Sequence, residues 1–188
     1  MRLNSKNVIG IFFAALMIFS VFGVILSTNT PTNRVEYNGV TFTQGSGGWK
    51  GSVKGVTRLF VDLPGDVESL VLPAGAKEVL TSAKFMTISF DDADVSADVL
   101  GQVQAYMQQT LYTDVFTRGA TLNGSNNSPA ISCTNSTPQE PVIVLELGNQ
   151  TSINIDHNSC LVITGVSPYD VVRGADRVMY TILGVING

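Results

Sequence analysis

Nineteen consecutive residues, Val8 to Leu26, contain no charged residue and no His, Asn or Gln. As a helix this run extends roughly 28 Å, about the hydrocarbon thickness of a bilayer. Phe12, Phe13, Phe19 and Phe22 would lie on all sides of it and leave no polar face. Arg2 and Lys6 precede the run, while the first charges after it, Arg34 and Glu36, cancel. The positive-inside rule then places residues 1–7 in the cytoplasm, 8–27 in the membrane and the chain from about residue 28 outside. A cleaved signal peptide is the main rival. Its apolar core is shorter, and it ends in small residues where this chain has Ile25 and Leu26. A pilin-type leader is a third reading, because Asn7-Val8-Ile9-Gly10 faintly resembles an archaeal pilin start. The Gly expected before the apolar run is missing.

Beyond the anchor, residues 28–34 read as a polar linker and 35–188 as one domain with room for a core. Of 11 Lys and Arg, two precede the run, so the outer part keeps 9 against 15 acidic residues, a net charge near −6. That balance, with no basic cluster, argues against nucleic-acid binding. Cys133 and Cys160 both fall on the outer side, where a lone pair of cysteines usually bridges. Asn123, Asn126, Asn135 and Asn149 stand in Asn-x-Ser/Thr sequons and are candidate glycosylation acceptors, three of them in one Asn/Ser/Pro loop.

The element pattern predicts an α+β domain. Asn38-Gly39 between Val35–Tyr37 and Val40–Thr43 signals a hairpin. Residues 45–55, glycine-rich with the single Trp, read as a loop. Thr57–Leu63 and Lys84–Phe90 read as strands, with short helical turns at Asp66–Leu72 and Ala76–Ser82. Ser96 is expected to cap a helix reaching about Tyr112, with Val99, Val103, Tyr106, Met107, Thr110 and Leu111 on one face. A strand from Thr113 to Leu122 leads into the Asn/Ser/Pro loop. Residues 141–147, 151–156 and 160–165 read as a three-strand antiparallel meander. Ser167, Pro168 and Asp170 mark the start of a last helix that ends at Gly184. Its apolar face carries Val171, Val172, Ala175, Val178, Met179, Ile182 and Leu183; the face with Asp170, Arg173, Asp176, Arg177 and Thr181 is expected to meet solvent. Together these elements make a two-layer domain, two amphipathic helices on a largely antiparallel sheet.

No catalytic motif emerges. His157 is the single histidine, in a predicted turn beside Asp156; no nucleophile-elbow pattern surrounds Ser152 or Ser159, and one His with two bridged Cys cannot make a zinc site. Asp91, Asp92, Asp94 and Asp98 invite a Ca²⁺ reading, but they lack the Gly and closing Glu of an EF-hand and suit the helix dipole better. The Gly45–Gly51 stretch has neither P-loop nor dinucleotide spacing. No cofactor or metal is expected. Tyr180, beside Asp176 and Arg177, is expected on the polar face of the last helix; with Arg177 and Trp49 it forms the candidate partner surface.

Tyr37-Asn38-Gly39 with Phe42, a Cys on each side of a Val/Ile meander, and Asp176-Arg177-Val178-Met179-Tyr180 followed by Leu183-Gly184 form a familiar combination. It resembles small membrane-anchored envelope proteins of tiny-genome archaea. That family has no assigned activity, so the resemblance implies an archaeal cell membrane and carries over no catalytic residue. The expected function is non-enzymatic: an extracytoplasmic binding or structural protein of the cell envelope whose partner is another envelope or cell-surface protein. A pilin-like filament subunit and an envelope hydrolase using His157 are the alternatives.

Overall fold

Two tight turns start the domain. Asn38 and Gly39 take φ of 47° and 77°, and Lys54 and Gly55 take 52° and 79°, the left-handed pairs that match the twist of a two-residue hairpin. They help fold the chain into a four-stranded antiparallel sheet in sequence order: β1 (Arg34–Tyr37), β2 (Val40–Gly45), β3 (Gly48–Val53) and β4 (Val56–Phe60). The structure is a computed structural model that describes residues 33–124, 128–156 and 159–186. The expected anchor lies outside the described residues, and among these no helix is long and apolar enough to cross a membrane. Arg34–Gly188 forms one compact unit.

Strand β3 occupies the stretch expected to be a loop. Glycine density there serves packing: a Cβ on Gly51 would stand 2.6 Å from the ring of Phe42, itself fully buried. A side chain at that position would push the ring out of the core, so the strand accepts the β-propensity cost of glycine.

After α1 (Pro64–Val67) and α2 (Ala76–Ser82) the chain builds a second sheet. Its strands are β5 (Phe85–Phe90), β6 (Phe116–Thr121), β7 (Val142–Leu147), β8 (Ser152–Asp156) and β9 (Cys160–Gly165), in the order β6-β5-β7-β9-β8. All pairings are parallel except β8 with β9. Helix α3 (Ala97–Leu111) connects β5 to β6, and α4 (Pro168–Ile182) follows β9. The domain is α+β as expected, but it has two sheets and four helices among the described residues. The meander also needs correction, because β9 inserts between β7 and β8. Val142 through Leu145 are all buried, so β7 has no solvent face; such a continuous apolar run belongs inside a parallel sheet. Ser-Ile-Asn-Ile-Asp in β8 alternates, as an edge strand should.

One sheet face carries Met86, Ile88, Ile143, Leu145, Leu161 and Ile163 into the main core with α3 and α4. The other carries Val142, Val144 and Cys160, covered by Leu122, Ile131 and Cys133 from the long loop after β6. Cys133 and Cys160 lie at disulfide distance, with sulfurs 2.06 Å apart, and this clasp holds the loop to the sheet.

Helix α4 starts as expected. Ser167 Oγ accepts from Asp170 N and Asp170 Oδ2 accepts from Ser167 N, a reciprocal cap, and Gly184 at φ 73° ends the helix. Most of its expected solvent face is instead interior, while Asp170 and Arg173 stay partly exposed. Asp176, Arg177, Tyr180 and Thr181 are all buried because α4 packs on β9 and β7, on α3, and on α1 and α2 at once. Helix α3 also differs at its start: Ser96 makes no side-chain cap, and the Asp94 carboxylate accepts from Ser96 N instead, at 2.7 Å. Its buried face holds Leu100 where Val99 was expected; Val99 is exposed.

Candidate functional site

A cluster of buried ionisable groups lies where the end of β4 meets α4. Asp176 is 0 % exposed. Its Oδ2 accepts from Val61 N (3.1 Å) and Asp62 N (2.8 Å), and its Oδ1 accepts from the Tyr106 hydroxyl of α3 (2.5 Å). Asp62 is also buried; its Oδ1 accepts from Tyr169 (2.6 Å), its carbonyl from Tyr180 (2.7 Å), and its Oδ2 has no partner among the described residues. Two carboxyls and three phenols thus join the first sheet to α3 and α4.

The electrostatics follow from burial. Desolvation pushes the Asp176 carboxyl up to about 7, against the opposing bonds from Tyr106 and the two amides, and the nearby Asp62 charge pushes the same way. Desolvation, with the adjacent Asp176, also drives the Tyr106 and Tyr180 phenols far above their usual range. Asp176 therefore holds or releases a proton near neutrality. Asp176 is completely buried, so its carboxyl presents no face to solvent. Its three hydrogen bonds bridge elements distant in sequence. Chemically the cluster is a fastener between the first sheet and the helices.

A second buried charge performs the same kind of work. Arg58 of β4 donates to the Thr110 carbonyl, to Thr113 Oγ1 (2.7 Å) and to Asp114 (2.5 Å), with Lys54 3.3 Å from the other Asp114 oxygen. Burial would raise the Asp114 carboxyl, but the Thr113 hydroxyl, Arg58 and Lys54 outweigh it and hold the group below its usual value.

The candidate partner surface does not survive as drawn. Tyr180 is fully buried, its ring stacked on Phe60 (4.4 Å, 27°) and edge-on to Phe42 (5.9 Å). Arg177 is buried and donates to the Leu70 carbonyl (3.0 Å) and Thr181 Oγ1. Neither presents its side chain to a partner. A tyrosine on the charged side of a helix signals exposure only if nothing packs there, and α1 and the β4 end do. Trp49 is half-buried on β3 against the core.

Asp91 and Asp92 accept from the side-chain amide of Asn123 (2.7 and 3.1 Å), and Asp94 is engaged at the start of α3. Among the described residues no group of three His, Cys, Asp or Glu could hold a metal ion. The sequons Asn135 and Asn149 are exposed. His157 and Asn126 lie outside the described residues. Clefts of the described domain include a groove of about 400 Å³ between residues 69–73 and β8, and a depression of about 380 Å³ beside Lys84 and Pro138. Sequence reasoning had no signal for the Asp62–Asp176 pairing, since the partners are over 100 residues apart.

Comparison with known proteins returns no matching family model, no matching curated protein and no matching solved structure.

Proposed function

We propose that this chain is a single-pass, membrane-anchored extracytoplasmic protein that binds or organises other envelope components and is not an enzyme. The supporting observation is the cysteine pair at disulfide distance in a domain that follows the Val8–Leu26 apolar run. A surface loop clasped to a sheet by a disulfide suits an oxidising compartment. The buried Asp176 adds support of a second kind: its hydrogen bonds to Val61 N, Asp62 N and Tyr106 are spent on the fold. The N-terminus is cytoplasmic in this reading, and the domain from about residue 35 faces outward, toward a protein of the same envelope or of a neighbouring cell surface.

In-cell cross-linking followed by mass spectrometry tests it. The reading expects cross-links from residues 35–188 to another envelope protein and an uncleaved N-terminal peptide. A mature start near residue 7 together with cross-links only between copies would overturn it in favour of a filament subunit.

A further inference from the structure

Side chains of β5 alternate between two surroundings. Met86, Ile88 and Phe90 face the main core, while Phe85, Thr87 and Ser89 face the side crossed by the disulfide-clasped loop. The loop covers that side at Ser89, whose hydroxyl donates to Ile131 O (2.7 Å), and at Val142, whose N donates to Ser136 Oγ (3.0 Å). At the start of β5 and β6 the cover ends. There Phe85 stands opposite Phe116, and Thr87 opposite Arg118. The two rings stack, with centroids 5.1 Å apart and 20° between their planes, and neither belongs to either apolar core. Phe116 is 67 % exposed. A lone exposed apolar residue needs no explanation, but a paired aromatic surface outside the core marks a contact site.

Arg118 completes the platform. Its guanidinium carbon lies 5.0 Å from the Phe85 ring centroid, and Nη2 donates to Thr87 Oγ1 (3.2 Å). Ring and hydroxyl together hold the fork in one orientation before any partner arrives. Lys84, the residue before Phe85, is exposed and lines the 380 Å³ depression with Ser82, Pro138 and Gln139. Among the described residues the ion pairs are those of Asp114 and Asp170, and neither Arg118 nor Lys84 pairs with a carboxylate. Two cations therefore flank the ring stack with their charge uncommitted.

We propose that the Phe85–Phe116–Arg118 platform docks an acidic, aromatic segment of a partner protein. One aromatic side chain of the partner extends the ring stack, and a neighbouring carboxylate takes the Arg118 fork, with Lys84 adding attraction. The rings supply buried area and the cations select the charge of the segment. A sugar acid fits less well, because two phenylalanine rings offer no donor or acceptor to its hydroxyls. The proposal rests on the binding-protein reading and names its site.

The test uses the full chain in mild detergent and a fluorescein-labelled peptide, Ser-Asp-Phe-Asp-Phe-Asp-Ser, read by anisotropy. Phe116→Ala and Arg118→Glu alter exposed side chains outside both cores. Saturable binding is expected, weakened about tenfold or more by each substitution. A peptide with Lys in place of Asp should bind Arg118→Glu more tightly than it binds wild type. The proposal is overturned by no saturable binding of the acidic peptide up to about 1 mM, by equal binding of the Lys peptide to wild type, by indifference to either substitution, or by trigalacturonate binding more tightly than the peptide. If cross-links in cells reach a partner from elsewhere on the domain while this test fails, the binding-protein reading stands and the platform is not its site.

Discussion

Replacing Asp176 by Asn should remove a pH dependence that the wild-type chain carries. Burial raises the Asp176 carboxyl from 3.8 to about 7. The folded protein therefore keeps this proton over a range where the unfolded chain has lost it, so stability falls as pH rises. The contribution is fully present below about pH 4, declines through the window up to about pH 7, and levels off above it. A shift of this size corresponds to about 4 kcal/mol in total, and about 3 kcal/mol of it falls between pH 4.5 and pH 8. Asn has the same shape and no proton to lose. Its carbonyl can take the Val61 and Asp62 amides, while its NH₂ faces the Tyr106 oxygen. Urea unfolding of the full chain in detergent, followed by Trp49 fluorescence, reports the difference at each pH. With a slope near 2 kcal/mol per M, the gap between wild type and Asp176→Asn should change by about 1.5 M across the window. Asp114, which pulls stability the other way, is common to both proteins and cancels. Parallel curves for the two proteins would refute the reasoning, since Asp176 would then ionise in the folded state as it does in the unfolded one.

Four further outcomes are expected. Tyr180→Phe removes the hydroxyl that serves the Asp62 carbonyl and should cost about 1 kcal/mol, whereas Tyr180→Ala empties the Phe42–Phe60 stack and should cost about 3–5 kcal/mol; denaturant midpoints compare the two, and equal costs would count against the packing role. Cys133→Ser opens a loop spanned by 27 residues of separation and should lower stability by roughly 3.5 kcal/mol, matched by adding reductant to wild type. Gly51→Ala forces a methyl against the Phe42 ring and should cost about 1–3 kcal/mol in thermal unfolding. In a host that glycosylates sequons, Asn135 and Asn149 should be occupied ahead of Asn123, whose amide nitrogen is already held by Asp91 and Asp92, as glycopeptide mass spectrometry would report.

Much local chemistry was readable in the sequence, although the expected Ser96 cap does not form and the Lys54-Gly55 turn was missed. The Asn38-Gly39 turn, the Ser167–Asp170 cap and the Gly184 stop each need only neighbouring atoms, and each appears where expected. The α+β class follows from the same local signals. What escaped depends on partners far along the chain. Gly48 to Val53 is a strand because Phe42 needs the space above Gly51, which composition alone presents as a flexible loop. The order β7-β9-β8 depends on which strands bury both faces, and the clue was the unbroken Val142–Leu145 run. Tyr180 and Arg177 look solvent-facing on a helical projection, since the projection does not include α1 or the end of β4. The Asp62–Asp176 fastener could not be read at all, because nothing near either residue announces the other.

The central claim is that the domain from residue 35 onward stands outside the cell on a membrane anchor at 8–27. Cysteine accessibility in intact cells tests it most directly. Val95 is fully exposed in the domain, and Ser5 precedes the apolar run. A membrane-impermeant maleimide should label Val95→Cys in intact, membrane-bound chain and should reach Ser5→Cys only after permeabilisation. Labelling of Ser5→Cys in intact cells with Val95→Cys protected, or recovery of the whole chain in the soluble fraction, would contradict the claim.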